Sequence, residues 1–255
     1  MSGKIFLTSD LHFGHDREFI WKVRGFNSVQ EMNETIVRKW NETVNAEDDV
    51  YILGDVMLGD PSNIDYVAKL TGRIHIVLGN HDTSKREAMY RSLPNVVEVA
   101  EVGIRLNYKK HHFVLTHYPM MTGNLEKESL KQMTLNLFGH THQRSNFYND
   151  MPFMYHVGVD SHDCYPALLD DIIEEMYAKV KECIAFLDEE SVYAEQATSS
   201  NVYETKGRNL DLDIVPVDQS RCGKCVYEVL VCGKNDFYGN CPKYKKDPLD
   251  GGFYG

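Results

Sequence analysis

Side chains able to ligate a metal recur at the ends of short apolar runs in this sequence. Ile5-Phe6-Leu7-Thr8 leads through Ser9 to Asp10 and His12, and Val50-Tyr51-Ile52-Leu53 leads to Gly54-Asp55. Ile74 to Leu78 leads to Gly79-Asn80-His81-Asp82, Phe113 to Thr116 leads to His117, and Leu135 to Phe138 leads to Gly139-His140-Thr141-His142. The candidate ligands are three oxygen donors, Asp10, Asp55 and Asn80, and four imidazoles, His12, His117, His140 and His142. One ion takes roughly four to six ligands, so this set suits two metals sharing a carboxylate. Mixed imidazole and carboxylate donors favour manganese, iron, zinc, nickel or cobalt over magnesium or calcium. Two divalent cations set against Asp10, Asp55 and a bridging hydroxide keep about one positive charge, which suits an anionic phosphate.

For these side chains to converge, the apolar runs must be strands whose ends lie together. They alternate with helical patterns, an α/β arrangement in which ligands gather outside the carboxyl ends of strands. Residues i and i+2 of an extended chain point the same way, so Asp10 and His12 are expected side by side at the end of the first strand. The glycines before Asp55, Asn80 and His140 let backbone or ligand come close. Ser28 and Glu31 have capping-box spacing, and Val29, Met32, Ile36, Trp40 and Val44 follow at helical intervals. A short helix over Ile64 to Leu70 is expected to stop at Gly72, and a polar helix covers Ser84 to Arg91. β-prone residues run from Val96 to Leu106 with a turn near Gly103. Beyond Pro166, Leu169, Ile172, Ile173, Met176, Val180, Cys183, Ile184 and Leu187 mark one helical face. That helix is expected to pack on the core and close a domain spanning residues 1–188.

Composition narrows the partners. With 38 Asp and Glu against 27 Lys and Arg, the formal charge is −11. Such a surface repels a long polyanion and disfavours nucleic acid, whereas a small phosphate ester entering a locally positive site is acceptable. No apolar run reaches membrane-span length, and Met1-Ser2-Gly3-Lys4 lacks a signal-peptide pattern. The expectation is a cytoplasmic protein with no membrane partner, in which six cysteines are thiols or metal ligands rather than disulfides.

The motifs Asp10-Leu11-His12, Gly54-Asp55, Gly79-Asn80-His81-Asp82, His117 and Gly139-His140-Thr141-His142 occur in an order that resembles the calcineurin-like metallophosphoesterases. Thr8-Ser9-Asp10-Leu11-His12-Phe13-Gly14-His15 and Val157-Gly158-Val159-Asp160 resemble a bacterial and phage subgroup of small predicted phosphoesterases. The resemblance runs from about Lys4 to near Leu187. It implies an α/β sandwich of two mixed sheets flanked by helices, with a dimetal site at the strand ends. It further implies a metal-dependent hydrolase of phosphoester bonds, with diesters favoured. Asp10, His12 and His142 would hold one metal, Asn80, His117 and His140 the other, and Asp55 would bridge them. A hydroxide held by the two ions, with manganese the expected metal, would attack phosphorus. His81 would protonate the leaving oxygen or stabilise the transition state, and Asp82 would accept a hydrogen bond from His81 and fix its tautomer. The alternatives are a nuclease of the same chemistry and a non-catalytic metal-binding scaffold; the complete donor set and His81 speak for an enzyme.

Other residues carry less. Arg17, Arg24 and Arg144 lie nearest the motifs, either holding substrate phosphate bidentately or simply solvated. His15 and His162 are structural or substrate-facing, and His75, His111 and His112 receive no role. Residues 189–220 read as a polar linker with one candidate strand at Leu212 to Val217. In the tail, 221–255, Cys222, Cys225, Cys232 and Cys241 either hold a structural zinc ion or stay free thiols. Lys243, Lys245 and Lys246 with Tyr244, Phe253 and Tyr254 form a basic-aromatic end suited to a partner or to nucleic acid.

Overall fold

A computed structural model describes residues 3–125, 127 and 129–183. The linker, the four tail cysteines, Ile184 and Leu187 lie outside the described residues. The first half of the chain forms β1 (Ile5–Thr8), α1 (Glu18–Trp21), α2 (Val29–Thr43), β2 (Asp49–Leu53), α3 (Ile64–Ala68), β3 (Arg73–Val77) and α4 (Ser84–Arg91). Then follow β4 (Val96–Ala100), β5 (Gly103–Tyr108), β6 (His111–Thr116), β7 (Thr134–Phe138), β8 (Met154–His156), β9 (Ala167–Leu168) and a helix over residues 169–183, α5.

Two mixed sheets result, as the motif resemblance implies, with strand orders β4-β3-β2-β1-β9 and β5-β6-β7-β8. In the first sheet β1, β2, β3 and β4 run parallel, with Thr8 opposite Ile52 and Leu53 opposite Val77. In the second, β6, β7 and β8 run parallel, with Thr116 opposite Phe138 and Phe138 opposite His156. Parallel strands end at one edge. Each sheet therefore delivers its ligand-bearing loops to a single side. The sheets meet there, where Ser9 bridges Gly158 and Val159 N donates to Ser9 O at 3.2 Å.

The apolar patterning explains the layers. α2 buries Met32, Ile36 and Trp40 in a cluster with Phe6, Val50, Ile52, Ile74 and Ile76 of the first sheet. Truncating a buried ring such as Trp40 to Ala costs about 3–5 kcal/mol. Its start is capped as expected, Ser28 Oγ accepting from Glu31 N at 3.1 Å, but the Glu31 carboxylate closes on Asn27 N at 2.8 Å instead of on Ser28. α5 buries Leu169, Ile172, Ile173 and Met176 and is tied to the second sheet by Tyr155 Oη to Glu175 at 2.7 Å and His111 Nε2 to Tyr177 Oη at 3.0 Å.

The turn expected near Gly103 also changes sheet, and three short elements were not expected. The β-prone stretch near Gly103 is a crossing between sheets, with Glu101 and Val102 carrying the chain from β4 to β5. α1, β8 and β9 are too short to show a hydrophobic period, so the sequence pattern does not reveal them.

Candidate metal centre

All the candidate ligands come together where the two sheets meet, but not by strand geometry alone. β1 stops at Thr8, and Asp10 and His12 lie beyond it with φ of 57° and 51°, so the i, i+2 alternation expected of an extended segment does not place them. Their loop is instead laid along the loop after β2, with Asp10 N donating to Gly54 O and His12 N to Asp55 O, each at 3.0 Å. Asp55, His140 and His142 are also left-handed, with φ of 54°, 68° and 49°. Such backbone costs of order 1–3 kcal/mol per residue and persists where neighbours over-determine it; Asp and His tolerate it better than most. A Cβ at Gly54 would collide with the His117 ring, and one at Gly79 would strike Asp55 Oδ1, which gives those glycines their reason.

Two groups of donors form. Asp10, His12 and His142 offer atoms all within 4.8 Å of one another, as do Asp10, Asp55 and His117. His12 Nε2 and His142 Nε2 stand 3.1 Å apart. Two nitrogens bound at about 2.1 Å and at right angles on one ion would be about 3 Å apart, so this spacing fits a shared cation. On the other side, Asn80 Oδ1 lies 2.9 Å from His117 Nε2 and 3.0 Å from His140 Nδ1. Asp55 stands between, its Oδ2 3.6 Å from both His12 Nε2 and His117 Nε2.

The tautomer of His117 shows what this arrangement needs. Its Nδ1 donates to Leu53 O at 2.8 Å, so Nε2 carries a lone pair. In the neutral ring that a metal requires, that lone pair faces the oxygens of Asn80 at 2.9 Å and Asp55 at 3.6 Å, three acceptors turned toward one another. A cation resolves the repulsion, and the imidazole, amide and carboxylate donors suit a divalent transition ion. Burial tells the same story. It pushes the Asp10 carboxyl above its ordinary value, His12 well below and His140 below theirs, so burial disfavours a proton on His12 and His140 and a bare charge on Asp10.

Residues 4–159 match the model of the calcineurin-like phosphoesterase superfamily domain. The chain belongs to that superfamily. An uncharacterised protein of Methanocaldococcus jannaschii is 31% identical over 183 residues, covering 67% of this chain and 90% of its own length. The gene 66 protein of Mycobacterium phage D29 is 29% identical over 209 residues, covering 70% of this chain and 98% of its own. A solved Aquifex aeolicus protein of unknown function shares the fold, with a TM-score of 0.53 at 22% identity, covering 68% of this chain and 98% of that one.

Behind the ligands lies a buried support that the sequence did not announce. Asp160 Oδ2 accepts from His142 Nδ1 at 2.8 Å, which turns Nε2 toward the centre. Arg24 grips both oxygens of Asp160 at 2.9 Å and donates to Asp10 O at 2.8 Å. Arg24 is therefore neither a phosphate clamp nor a solvated residue: its side chain is 3% exposed and its donors are spent inside the protein. Burial favours the neutral form of Asp160, but His142 and Arg24 outweigh it and hold the carboxyl well below the usual range. Burial likewise lowers His142, and the Asp160 hydrogen bond with the nearby carboxylate charges reverses this and raises it. Asp160 was visible only as part of Val157-Gly158-Val159-Asp160; Arg24 is 136 residues away, and no local pattern links the two. Arg144 is spent on Val23 O at 2.8 Å, also not on the centre.

The fold places Asp82 differently from expectation. Asp82 accepts from Gly79 N at 2.9 Å, Asp55 N at 2.8 Å, Val56 N at 3.2 Å and Tyr90 Oη at 2.7 Å. The expected bond from His81 to Asp82 is not among them, because the carboxylate is buried under the two ligand loops and already has four donors. His81 N donates to Asp55 Oδ1 at 2.9 Å, while its ring is 42% exposed with Nε2 3.9 Å from Asp55 Oδ2. His15 joins the group, its Nδ1 3.2 Å from His12 Nδ1 and its ring centroid 6.1 Å from that of His81. His162 instead faces away, bonded to His156 O at 3.0 Å.

Proposed function

We propose that this chain hydrolyses phosphodiester bonds at a centre of two divalent metal ions. The observation that carries the reading is the position of Asp55 Oδ2, 3.6 Å from a nitrogen of each donor group. Asp10, His12 and His142 would hold one ion, Asn80, His117 and His140 the other, and Asp55 would be shared. When bound, two such ions supply positive charge to the phosphate oxygens and acidify water, and manganese suits these donors. The chain's own residues do the rest. Asp160 and Leu53 O fix the tautomers of His142 and His117, so each presents a lone pair inward. Asp82 gathers the amides of Gly79, Asp55 and Val56 and so holds the two ligand loops in one register; it is a positioning residue. His81, half exposed with its ring 5.6 Å from that of His12, would give a proton to the leaving oxygen. A diester monoanion also meets less repulsion from a chain of formal charge −11 than a monoester dianion does.

The test strips the protein of metal, restores manganese, and compares bis(p-nitrophenyl) phosphate with p-nitrophenyl phosphate, with His81→Ala as control. Faster, manganese-dependent cleavage of the diester is expected. Faster cleavage of the monoester would make the chain a phosphomonoesterase. Failure to cleave either ester with two ions bound would sink the hydrolase reading for simple esters and favour the scaffold.

A further inference from the structure

Two solvent-exposed aromatic rings border the centre on opposite donor groups. Phe19 is 67% exposed and meets the His15 ring edge-on at 5.7 Å, and His15 Nδ1 lies 3.2 Å from His12 Nδ1. Tyr118 is 52% exposed and its ring lies 4.6 Å from that of His140 and 5.1 Å from that of His117. Val23, Met120 and Met121 are exposed beside them in sequence, so most of the large apolar side chains that the described residues leave in water fall in segments 19–23 and 118–121. Phe19 is thus one imidazole away from the proposed ligand His12, and Tyr118 packs directly against the proposed ligands His140 and His117.

A phosphodiester has two organic arms, one on each side of phosphorus. A flat aromatic ring recognises another flat ring by stacking, and does so without reading base identity. Resting on the diester reading above, we propose that the substrate is a short nucleotide diester whose bases stack on Phe19 and Tyr118. The formal charge of −11 restricts this to short nucleotides, since it opposes the backbone of a long polymer. An aliphatic arm would gain some burial but not the stacking geometry.

The test uses the full chain loaded with manganese and two esters with the same leaving group, thymidine 5′-(p-nitrophenyl) phosphate and methyl p-nitrophenyl phosphate. The wild-type protein should prefer the thymidine ester about tenfold or more in kcat/KM, mostly through KM, the scale of one base stack. In Phe19→Ala/Tyr118→Ala this preference should fall to near one. Any loss common to both esters, including disturbance of His140 by the Tyr118 change, cancels in the ratio. An unchanged ratio in the double variant, or no preference in the wild type, overturns the proposal. If neither ester is cleaved, calorimetric binding of thymidine 5′-monophosphate against methyl phosphate separates the two readings. A tenfold preference lost in the double variant would keep base stacking while the hydrolase reading fails; equal binding would end both.

Discussion

Asp160 Oδ2 accepts a hydrogen bond from His142 Nδ1 at 2.8 Å, and this one bond decides which nitrogen of His142 faces the centre. Because Arg24 holds the same carboxylate and also Asp10 O, the bond ties the loop after β7 to the loop after β1. Orientation of two proposed ligands thus depends on a buried pair that touches no substrate. Asp160→Asn should weaken manganese binding by about 10- to 100-fold, the usual cost of removing such a partner, and activity should recover at high manganese. Equilibrium dialysis checks this. Wild-type affinity would show that His142 needs no help from Asp160.

His81 offers a cleaner separation of binding from chemistry. Its backbone N–H donates to Asp55 Oδ1 at 2.9 Å while its ring comes only within 3.9 Å of Asp55 Oδ2, so truncating the side chain leaves the hydrogen bond in place. His81→Ala should keep both ions but lose about 10²-fold or more in turnover, the scale of general acid–base help. Metal content and kcat measured on one preparation decide it. Full turnover would make the ring a bystander, and loss of metal would make it a ligand.

What the sequence made legible here follows from locality. The candidate ligands could be found because each follows its own apolar run within a few residues, and parallel pairing then brings the run ends together. The means of holding them was not legible. Asp10 and His12 are set by left-handed backbone after the strand, which their residue types permit but do not announce. Arg24 and Asp160 meet across 136 residues, and Asp82 spends its carboxylate on amides that a one-dimensional pattern never shows. Ser84 to Arg91 forms the expected polar helix, with the Thr83 side chain accepting from Arg86 N at its start; α1, at four residues, has no period to read.

Away from the centre, Asp48 sets an acid limit on the fold. Its carboxylate accepts from Lys4 N at 2.7 Å and Asn45 N at 2.8 Å, fastening the chain before β1 to the turn before β2. Burial alone would raise its pKa, but those amide bonds outweigh it and the folded value lies below the ordinary one. A depressed folded value means the stabilisation is complete above the unfolded pKa near 3.9 and is lost as pH falls through the folded value. Asp48→Ala should therefore lower Tm at pH 7 by about 2–4 °C, corresponding to about 1 kcal/mol, and the gap to wild type should narrow as pH falls through the folded value. Thermal melts across pH 2 to 7 measure it. A gap that stayed constant over that range would mean that the carboxylate charge contributes nothing.

Asp55 carries the last prediction because both donor groups meet at it. Its Oδ2 is 3.6 Å from nitrogens on either side, its Oδ1 accepts from His81 N, and its own N–H is held by Asp82. Asp55→Asn keeps size and hydrogen-bonding shape while removing the negative charge between two proposed cations. If both ions depend on that charge, their loss should be coupled: manganese content should fall below two per chain, and hydrolysis of bis(p-nitrophenyl) phosphate should fall with it rather than independently. Loss of one ion with the other bound at wild-type affinity would place Asp55 on a single metal. An active variant that kept both ions would remove Asp55 from the centre's charge balance altogether, because charge compensation, unlike shape, is the one property the substitution takes away.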